Sequence, residues 1–430
     1  MLRNSVDYIL KSACVFALMA ASSVSAVDMG YSLGYTGIFT DNPRQEPVPI
    51  DDEWINTANF GFELEQVGAG LEAEIDSLFS YSNFSNDTRD DVLRGNFDGA
   101  LIWHIRPSSL EWQVQNIFGS LAINDTQTEN PVDNQQDTNA FSTGPRFYFR
   151  VGERNTLQLD LRWEDYYFEE SIIDSQRVAG LVSWVRPLSP RSVSTVGLGG
   201  SAVEFQNPGA ADDFDRADVF WLGEFESSRS ELSLQVGYTD IQTDGPVDSS
   251  GPTAEIDWNR TLGGDSSLNI LVSSGFTDTG AALLEGAFDR PDVGGVQVNA
   301  NPFRRTNGEI TYRREAAAGS LDFSVFATDI EFDTGGTDRQ VVGATAGYRR
   351  PLTARATLTF SLRYGMTEFV DVNRDDDDLR ASLAFNYLLT PALTFTVGGS
   401  WSDRESTDPL STFDEARGEI GITYGKGLAN

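Results

Sequence analysis

His104, in Trp103-His104-Ile105, is the single histidine of the 430-residue chain, and Cys14 is its single cysteine. A Ser-His-Asp relay or a Cys/His zinc site gathers its groups from several segments, and one residue of each kind does not supply them. His104 therefore reads as a strand residue. Carboxylates pose the opposite problem, with 65 Asp and Glu in the chain. A glycosidase needs only two acids about 5–10 Å apart, so with this many acids a suitable pair carries no signal. The densest run, Asp371-Val-Asn373-Arg-Asp375-Asp-Asp-Asp378, opens with the Asp-x-Asn-x-Asp spacing of a calcium loop. Position six is Asp376, where the turn needs Gly, and position twelve is Ser382, where a Glu closes the site, so the run reads as a solvated acidic loop. The sequence predicts no catalytic residue, no metal site and no cofactor.

What the sequence does organise is the side on which its charges fall. Leu71, Ala73 and Ile75 alternate with Glu72, Glu74 and Asp76; Leu110, Trp112 and Val114 with Glu111, Gln113 and Gln115; Leu157, Leu159, Leu161 and Trp163 with Gln158, Asp160, Arg162 and Glu164. Further on, Ala254, Ile256 and Trp258 oppose Glu255, Asp257 and Asn259, Leu358 to Tyr364 oppose Thr359, Ser361 and Arg363, and Leu379 to Tyr387 oppose Arg380, Ser382 and Asn386. A period of two marks β-strands with one apolar and one polar face, and no comparable stripe at helical spacing appears.

The N-terminus points to export. Arg3 and Lys11 flank the apolar run Ala13 to Ala21, and Val24-Ser25-Ala26 offers small residues for cleavage, so residues 1–26 read as a signal peptide and 27–430 as one barrel domain. Cys14 falls inside the leader, which leaves the mature chain without a thiol. No later segment has the roughly 20 apolar residues of a membrane helix. Lipid-exposed backbone must satisfy its hydrogen bonds internally, so a β protein crosses a membrane only as a closed sheet. Alternating faces keep mean hydropathy low (−0.30) even there. A net charge of −34 argues against nucleic acid as a partner.

Connections between the alternating runs come in two kinds. Nine are short: 67–70, 107–109, 152–155, 187–191, 227–230, 263–266, 316–320, 351–354 and 389–391. Ten are longer, acidic and rich in Asn, Asp, Gly and Pro: 41–52, 84–91, 122–138, 168–174, 206–213, 242–252, 278–304, 331–339, 369–378 and 403–414. Nineteen connections join about 20 strands (18–22), the even number of a bacterial transmembrane antiparallel up-and-down β-barrel, with short periplasmic turns and long extracellular loops. Aromatics cluster toward strand ends, as at a lipid–water boundary: Trp163, Tyr166 and Tyr167, then Phe118, Tyr238, Trp258, Tyr312, Tyr348, Tyr364, Tyr387, Trp401 and Tyr424. A soluble sandwich or propeller would use such residues as core, but about 400 residues without a linker favour the barrel. Its location is then the Gram-negative outer membrane, among lipids and lipopolysaccharide.

The opening segment Gly34-Tyr-Thr-Gly-Ile-Phe-Thr40-Asp41-Asn42-Pro43-Arg44, with turns such as Pro187-Leu-Ser-Pro-Arg191 and Leu389-Thr-Pro391, resembles the porin-like outer-membrane β-barrel family of Gram-negative bacteria that often accompanies exopolysaccharide production and export loci. That resemblance implies passage of a secreted polysaccharide and contact with periplasmic export components. It brings no catalytic motif. The chain departs from many barrels in placing Gly-Lys-Gly-Leu-Ala-Asn430 after Tyr424.

The predicted functional surface is the lumen wall. Its acids are Glu63, Glu65, Glu72, Glu74, Asp76, Glu111, Asp160, Glu255 and Asp257; Arg146, Arg162, Arg363, Arg380 and Arg417 share that face by parity. Opposed arcs of charge with a net negative field predict mild cation preference, because water-filled barrels select by diameter and wall charge. The same charges also read as pairs that only stabilise the wall. The longest loop begins with apolar Ala281-Ala-Leu-Leu-Glu-Gly-Ala-Phe288, which is expected to fold inward and narrow the pore. Three functions fit: a passive channel for small hydrophilic solutes or a polysaccharide, a plugged barrel serving as a structural or surface-binding component, and, last, an outer-membrane hydrolase.

Overall fold

The computed structural model describes residues 27–49, 51–123, 134–207, 211–284, 299–333 and 335–426. The leader read over residues 1–26 lies outside them, as does the rest of the long loop beyond Leu284 up to residue 298. Twenty strands follow in order: β1 (Val27–Thr40), β2 (Glu53–Val67), β3 (Leu71–Phe84), β4 (Val92–Arg106), β5 (Leu110–Ala122), β6 (Gln135–Val151), β7 (Asn155–Phe168), β8 (Ser175–Ser189), β9 (Ser192–Phe205), β10 (Phe214–Ser227), β11 (Ser230–Thr243), β12 (Ser249–Gly263) and β13 (Ser266–Thr277). A short helix α1 (Thr279–Leu284) precedes β14 (Phe303–Ala316), β15 (Gly319–Phe332), β16 (Arg339–Pro351), β17 (Ala356–Phe369), β18 (Arg374–Thr390), β19 (Leu393–Ser406) and β20 (Phe413–Lys426). Each strand pairs antiparallel with its neighbours in sequence, and β1 pairs with β20 from Tyr31↔Lys426 to Thr40↔Arg417, which closes the barrel. Among the described residues no helix is long and apolar enough to cross a membrane.

Alternation along the strands becomes a partition between two faces. Outward positions carry Leu33, Val178, Trp184, Leu198, Val236, Ile256, Val342 and Ile420, all exposed; Val178 and Leu198 keep more than 60% of their surface open (63% and 64%). Water would not tolerate so continuous an apolar belt on a folded protein, whereas hydrocarbon does. The belt has amphipathic edges. Near the short turns the indole N–H groups of Trp184, Trp221 and Trp258 donate to Asn155, Ser194 and Ser230 at 3.1, 2.9 and 2.7 Å. Near the long connections the hydroxyls of Tyr81, Tyr238 and Tyr364 donate to Asp91, Ser250 and Asp377. These side chains keep one end apolar and one end wet, as an interfacial position requires.

Nine short turns fall where the sequence places them, except that Pro187 to Ser189 still belong to β8 and only 190–191 connect it to β9, and three use positive-φ backbone, at Gly152 (φ 73°), Ser108 (φ 64°) and Gly319 (φ 144°). Three predictions need correction. The stretches 242–252 and 369–378 are mostly strand, with connections of only 244–248 and 370–373. The acidic run is the start of β18: its pleat sends Asp376 and Asp378 inward, where Arg374 and Arg404 pair with them, and leaves Asp377 outward under the Tyr364 hydroxyl. Tyr166 is no belt residue, since it shares the inner face of β7 with Asp160 and Glu164.

A lumen divided by two inward-leaning hairpins as the candidate functional site

Strand register carries each predicted wall residue to the inner face. Glu63 and Glu65 lie on β2 opposite Asp76 and Glu74 of β3, Glu65 also faces Asp28 of β1, and Asp76 faces Asp98 of β4. Like charges directly opposite one another destabilise a sheet, and among the described residues Glu63, Glu65, Glu74 and Asp76 enter no ion pair. These four carboxylates on β2 and β3 are a stretch of uncompensated negative charge among the described residues. At its lower edge His104 sits between Glu72 (Nε2 to Oε1, 3.1 Å) and Glu111 (Nδ1 to Oε1, 3.0 Å), and the Tyr148 hydroxyl donates to Glu111 at 2.9 Å.

On the wall beyond it, arginines are matched by acids. Arg146 pairs with Asp160; Arg162 donates to Asp160 at 3.2 Å and to Gln113; Arg216 makes two bonds to Asp218 at 2.8 and 3.0 Å. Arg146, Asp160, Arg162, Arg216 and Asp218, with Glu164, Arg177, Glu255 and Arg305, line a cavity of about 610 Å³ in the lumen. Asp257 sits lower, near the periplasmic mouth, accepting from Asn269 at 2.9 Å. Arg363 and Arg380 face each other across β17 and β18, with Arg363 also over the Phe326 ring at 5.9 Å. Arg417 pairs with Glu415, which is 1% exposed and also accepts the Thr40 hydroxyl. One stretch, on β2 and β3, is thus bare acid, whereas on the opposite wall Asp160, Asp218 and Glu415 each have an arginine partner.

Sequence parity alone does not find how the lumen is obstructed. Pairing between β4 and β5 stops at Phe97↔Phe118, although β4 continues through 92–96 and β5 through 119–122. Above that point Arg94, on the inner face of β4, reaches Asp137 at 3.2 Å on the face of β6 that looks outward lower down. The top of the β5–β6 hairpin has therefore tilted into the lumen. The same occurs nearly opposite. Pairing between β12 and β13 stops at Ala254↔Ser274, and Phe276, outward by parity, packs instead on the inward residues Val203, Phe214 and Ile241.

The two leaning hairpins meet through α1. Asp278 caps the helix by accepting the Ala281 N–H at 3.0 Å, and its other carboxylate oxygen pairs with Arg177 of β8. Arg177 also lies 3.7 Å from Glu164 and covers the Tyr166 ring at 5.5 Å. Leu283, fully buried, packs with Ala140, Tyr166 and Phe168, flanked by Leu121 and Leu284. Gln115 of β5 donates to the Leu284 carbonyl at 3.3 Å. The expected inward fold of the apolar loop start holds for 281–284; residues 285–288 lie outside the described residues. Arg94, Tyr166, Arg177 and Asp278 are the residues of this obstruction that sequence reasoning did not place in the lumen. An Asp followed three residues later by an apolar run is a helix-start signal, and Asp278 was legible on that ground.

Closed antiparallel pairing, an apolar outer belt with amphipathic edges and a charged lumen together define an outer-membrane β-barrel. No protein-family model and no curated protein matches the sequence. Solved structures do match: the FrpB iron transporter from Neisseria meningitidis (F3-3 variant), TM-score 0.50, 9% identity, spanning 95% of this chain and 83% of that one. The siderophore receptor PirA from Acinetobacter baumannii gives TM-score 0.50 at 8% identity, over 94% of this chain and 81% of that chain. At such identity the likeness is one of fold.

Proposed function

We propose that the protein is an outer-membrane channel for hydrophilic solutes, mildly cation-preferring, whose bore is narrowed by α1 and the two leaning hairpins. The observation that carries this reading is the inner wall: on β2 and β3, Glu63, Glu65, Glu74 and Asp76 have no partner among the described residues, which a solid plug would leave buried at high cost. Water and mobile counter-ions beside that arc make its charge tolerable. Transport of some kind also suits the fold, whose structural neighbours include an iron transporter and a siderophore receptor. A secreted polysaccharide, implied by the family resemblance, is a second permeant compatible with a wall of polar and charged groups. A non-conducting barrel that binds a partner is the rival reading, favoured by the buried Arg177–Asp278–Glu164 group that fastens α1 across the lumen. Single-channel recording of the refolded protein in a planar bilayer under a salt gradient separates them. Steady conductance with a cation-selective reversal potential is expected; a folded but silent barrel, or anion selectivity, refutes the channel.

A further inference from the structure

The outer face of the barrel carries charges of opposite sign at its two edges. At the extracellular edge they include the acids Asp240, Asp377 and Asp403. At the edge beside the short turns, register puts no acid on the outward face within the last four residues of any strand. Arg186 on β8, Arg260 on β12, Arg314 on β14, Arg350 on β16 and Lys426 on β20 face outward there, and all are exposed. Against 65 acidic and 31 basic residues in the chain, an edge bearing cations alone calls for an anionic counterpart. Each of the five stands two residues beyond an outward aromatic, in order Trp184, Trp258, Tyr312, Tyr348 and Tyr424. It therefore lies one step outside the hydrocarbon boundary that such aromatics mark. Three of the cations are close neighbours: Arg260, Arg314 and Arg350 occupy alternate strands, and at about 4.8 Å per strand they stand about 10 Å apart across the sheet. Among the described residues none of the three enters an ion pair, and Arg260 only lies over the Trp258 ring at 5.8 Å. The Tyr312 and Tyr348 hydroxyls beside them donate to no acceptor among the described residues.

We propose that Arg260, Arg314 and Arg350 bind the phosphate groups of anionic phospholipid in the periplasmic leaflet, a lipid of the phosphatidylglycerol class. A guanidinium offers paired donors that match phosphate oxygens, and the two tyrosine hydroxyls supply further donors at the same level. Membrane lipid suits the site better than a soluble anion, because the wall continues from Tyr312 into exposed, outward Ile310 and Val325, against which acyl chains lie. Face, and not sequence neighbourhood, decides which arginines take part. Arg313 and Arg349, each one residue earlier, turn into the lumen, where Arg313 faces Asp322 across β14 and β15. Two Arg-Arg pairs thus put one guanidinium on each side of the wall.

Those pairs supply the test and its control. A cation at an anionic lipid surface is worth about fivefold in affinity, so two are worth about 25-fold. The refolded protein is titrated in detergent with phosphatidylglycerol and with phosphatidylethanolamine of the same acyl chains, and bound lipid is counted by mass spectrometry of the intact complex. The unsubstituted barrel is expected to retain phosphatidylglycerol in preference. Arg314→Gln with Arg350→Gln should weaken that retention about 25-fold, whereas Arg313→Gln with Arg349→Gln, an equal loss of charge on the inner face, should leave it unchanged. Heat-modifiable mobility checks that each variant is folded, and the competition on the unsubstituted protein decides the matter even where a variant does not fold. No preference for phosphatidylglycerol, an outward double that binds as well as the unsubstituted protein, or equal weakening by both doubles overturns the site. Glycerophosphoglycerol, the same head without chains, should not displace the lipid; displacement by it overturns membrane lipid as the occupant and assigns the arginines to a soluble phosphate. No readout depends on conductance, so this site and the channel stand or fall separately.

Discussion

Replacing Leu283 by Asp should release α1 from the wall. Leu283 has no exposed surface and packs between Ala140, Tyr166 and Phe168; burial of such a side chain is worth about 2 kcal/mol, and half-buried Leu284 adds about 1 kcal/mol. The buried Arg177–Asp278 pair is counted as neutral, because desolvation offsets most of its attraction. Docking is then worth about 3 kcal/mol, a population ratio above a hundredfold. Leu283→Asp removes about 2 kcal/mol and adds a carboxylate that costs more than about 2 kcal/mol to keep buried, so the undocked state becomes the major one. Single-channel recording should show larger steps than the unsubstituted protein, whatever its own level. Leu283→Ala, which leaves about 1 kcal/mol of docking, should give flickering between the two levels. A folded Leu283→Asp barrel, with heat-modifiable electrophoretic mobility and unchanged conductance, would show that α1 does not obstruct the path.

Neutralising the bare arc with Glu65→Gln, Glu74→Gln and Asp76→Asn should move the reversal potential toward zero and raise thermal stability slightly, since like charges facing across strands are removed. Gly144→Ala places a Cβ 1.9 Å from the Leu161 carbonyl oxygen, a backbone clash that should sharply reduce the folded fraction in refolding assays. The Tyr81 hydroxyl and then the Asn83 amide hold the Asp91 carboxyl below the ordinary carboxylate range. A depressed acid stabilises above its unfolded pKa and loses that contribution as pH falls through the native one. Protection of the Phe84 amide, which bonds Asp91 at 3.3 Å, should therefore be full at neutral pH and fall away in acid, while Asp91→Ala shows little protection at any pH by hydrogen exchange.

Strand number and the inward set were legible because one rule, period two, governs every strand and a slip by one residue would turn acid toward lipid. Asp375 to Asp378 misled because four consecutive acids look like loop, whereas pleating divides them between two environments. The obstruction was legible only in part. Its apolar start at Ala281 was visible, but parity sends Phe276 to the lipid side, and only the broken ladder above Ser274 turns it onto Val203, Phe214 and Ile241. Pro252 was the one local sign of that break. Asp137 misleads in the same way beside β4, since its inward partner Arg94 lies on a strand to which β6 is not paired.

Pairing only between sequence neighbours has a kinetic side. Each hairpin can form from contacts a few residues apart, so most of the sheet is topologically cheap to assemble. The exception is the ladder from Tyr31↔Lys426 to Thr40↔Arg417, which joins the two ends of the chain. Its entropic cost grows only slowly with the length enclosed, and it falls further once the intervening strands have curled. Closure of that ladder is then the step that commits the chain: before it, an open sheet with two bare edges is exposed to mispairing and proteolysis, and after it only the short unpaired stretches above Phe97 and Ala254 remain.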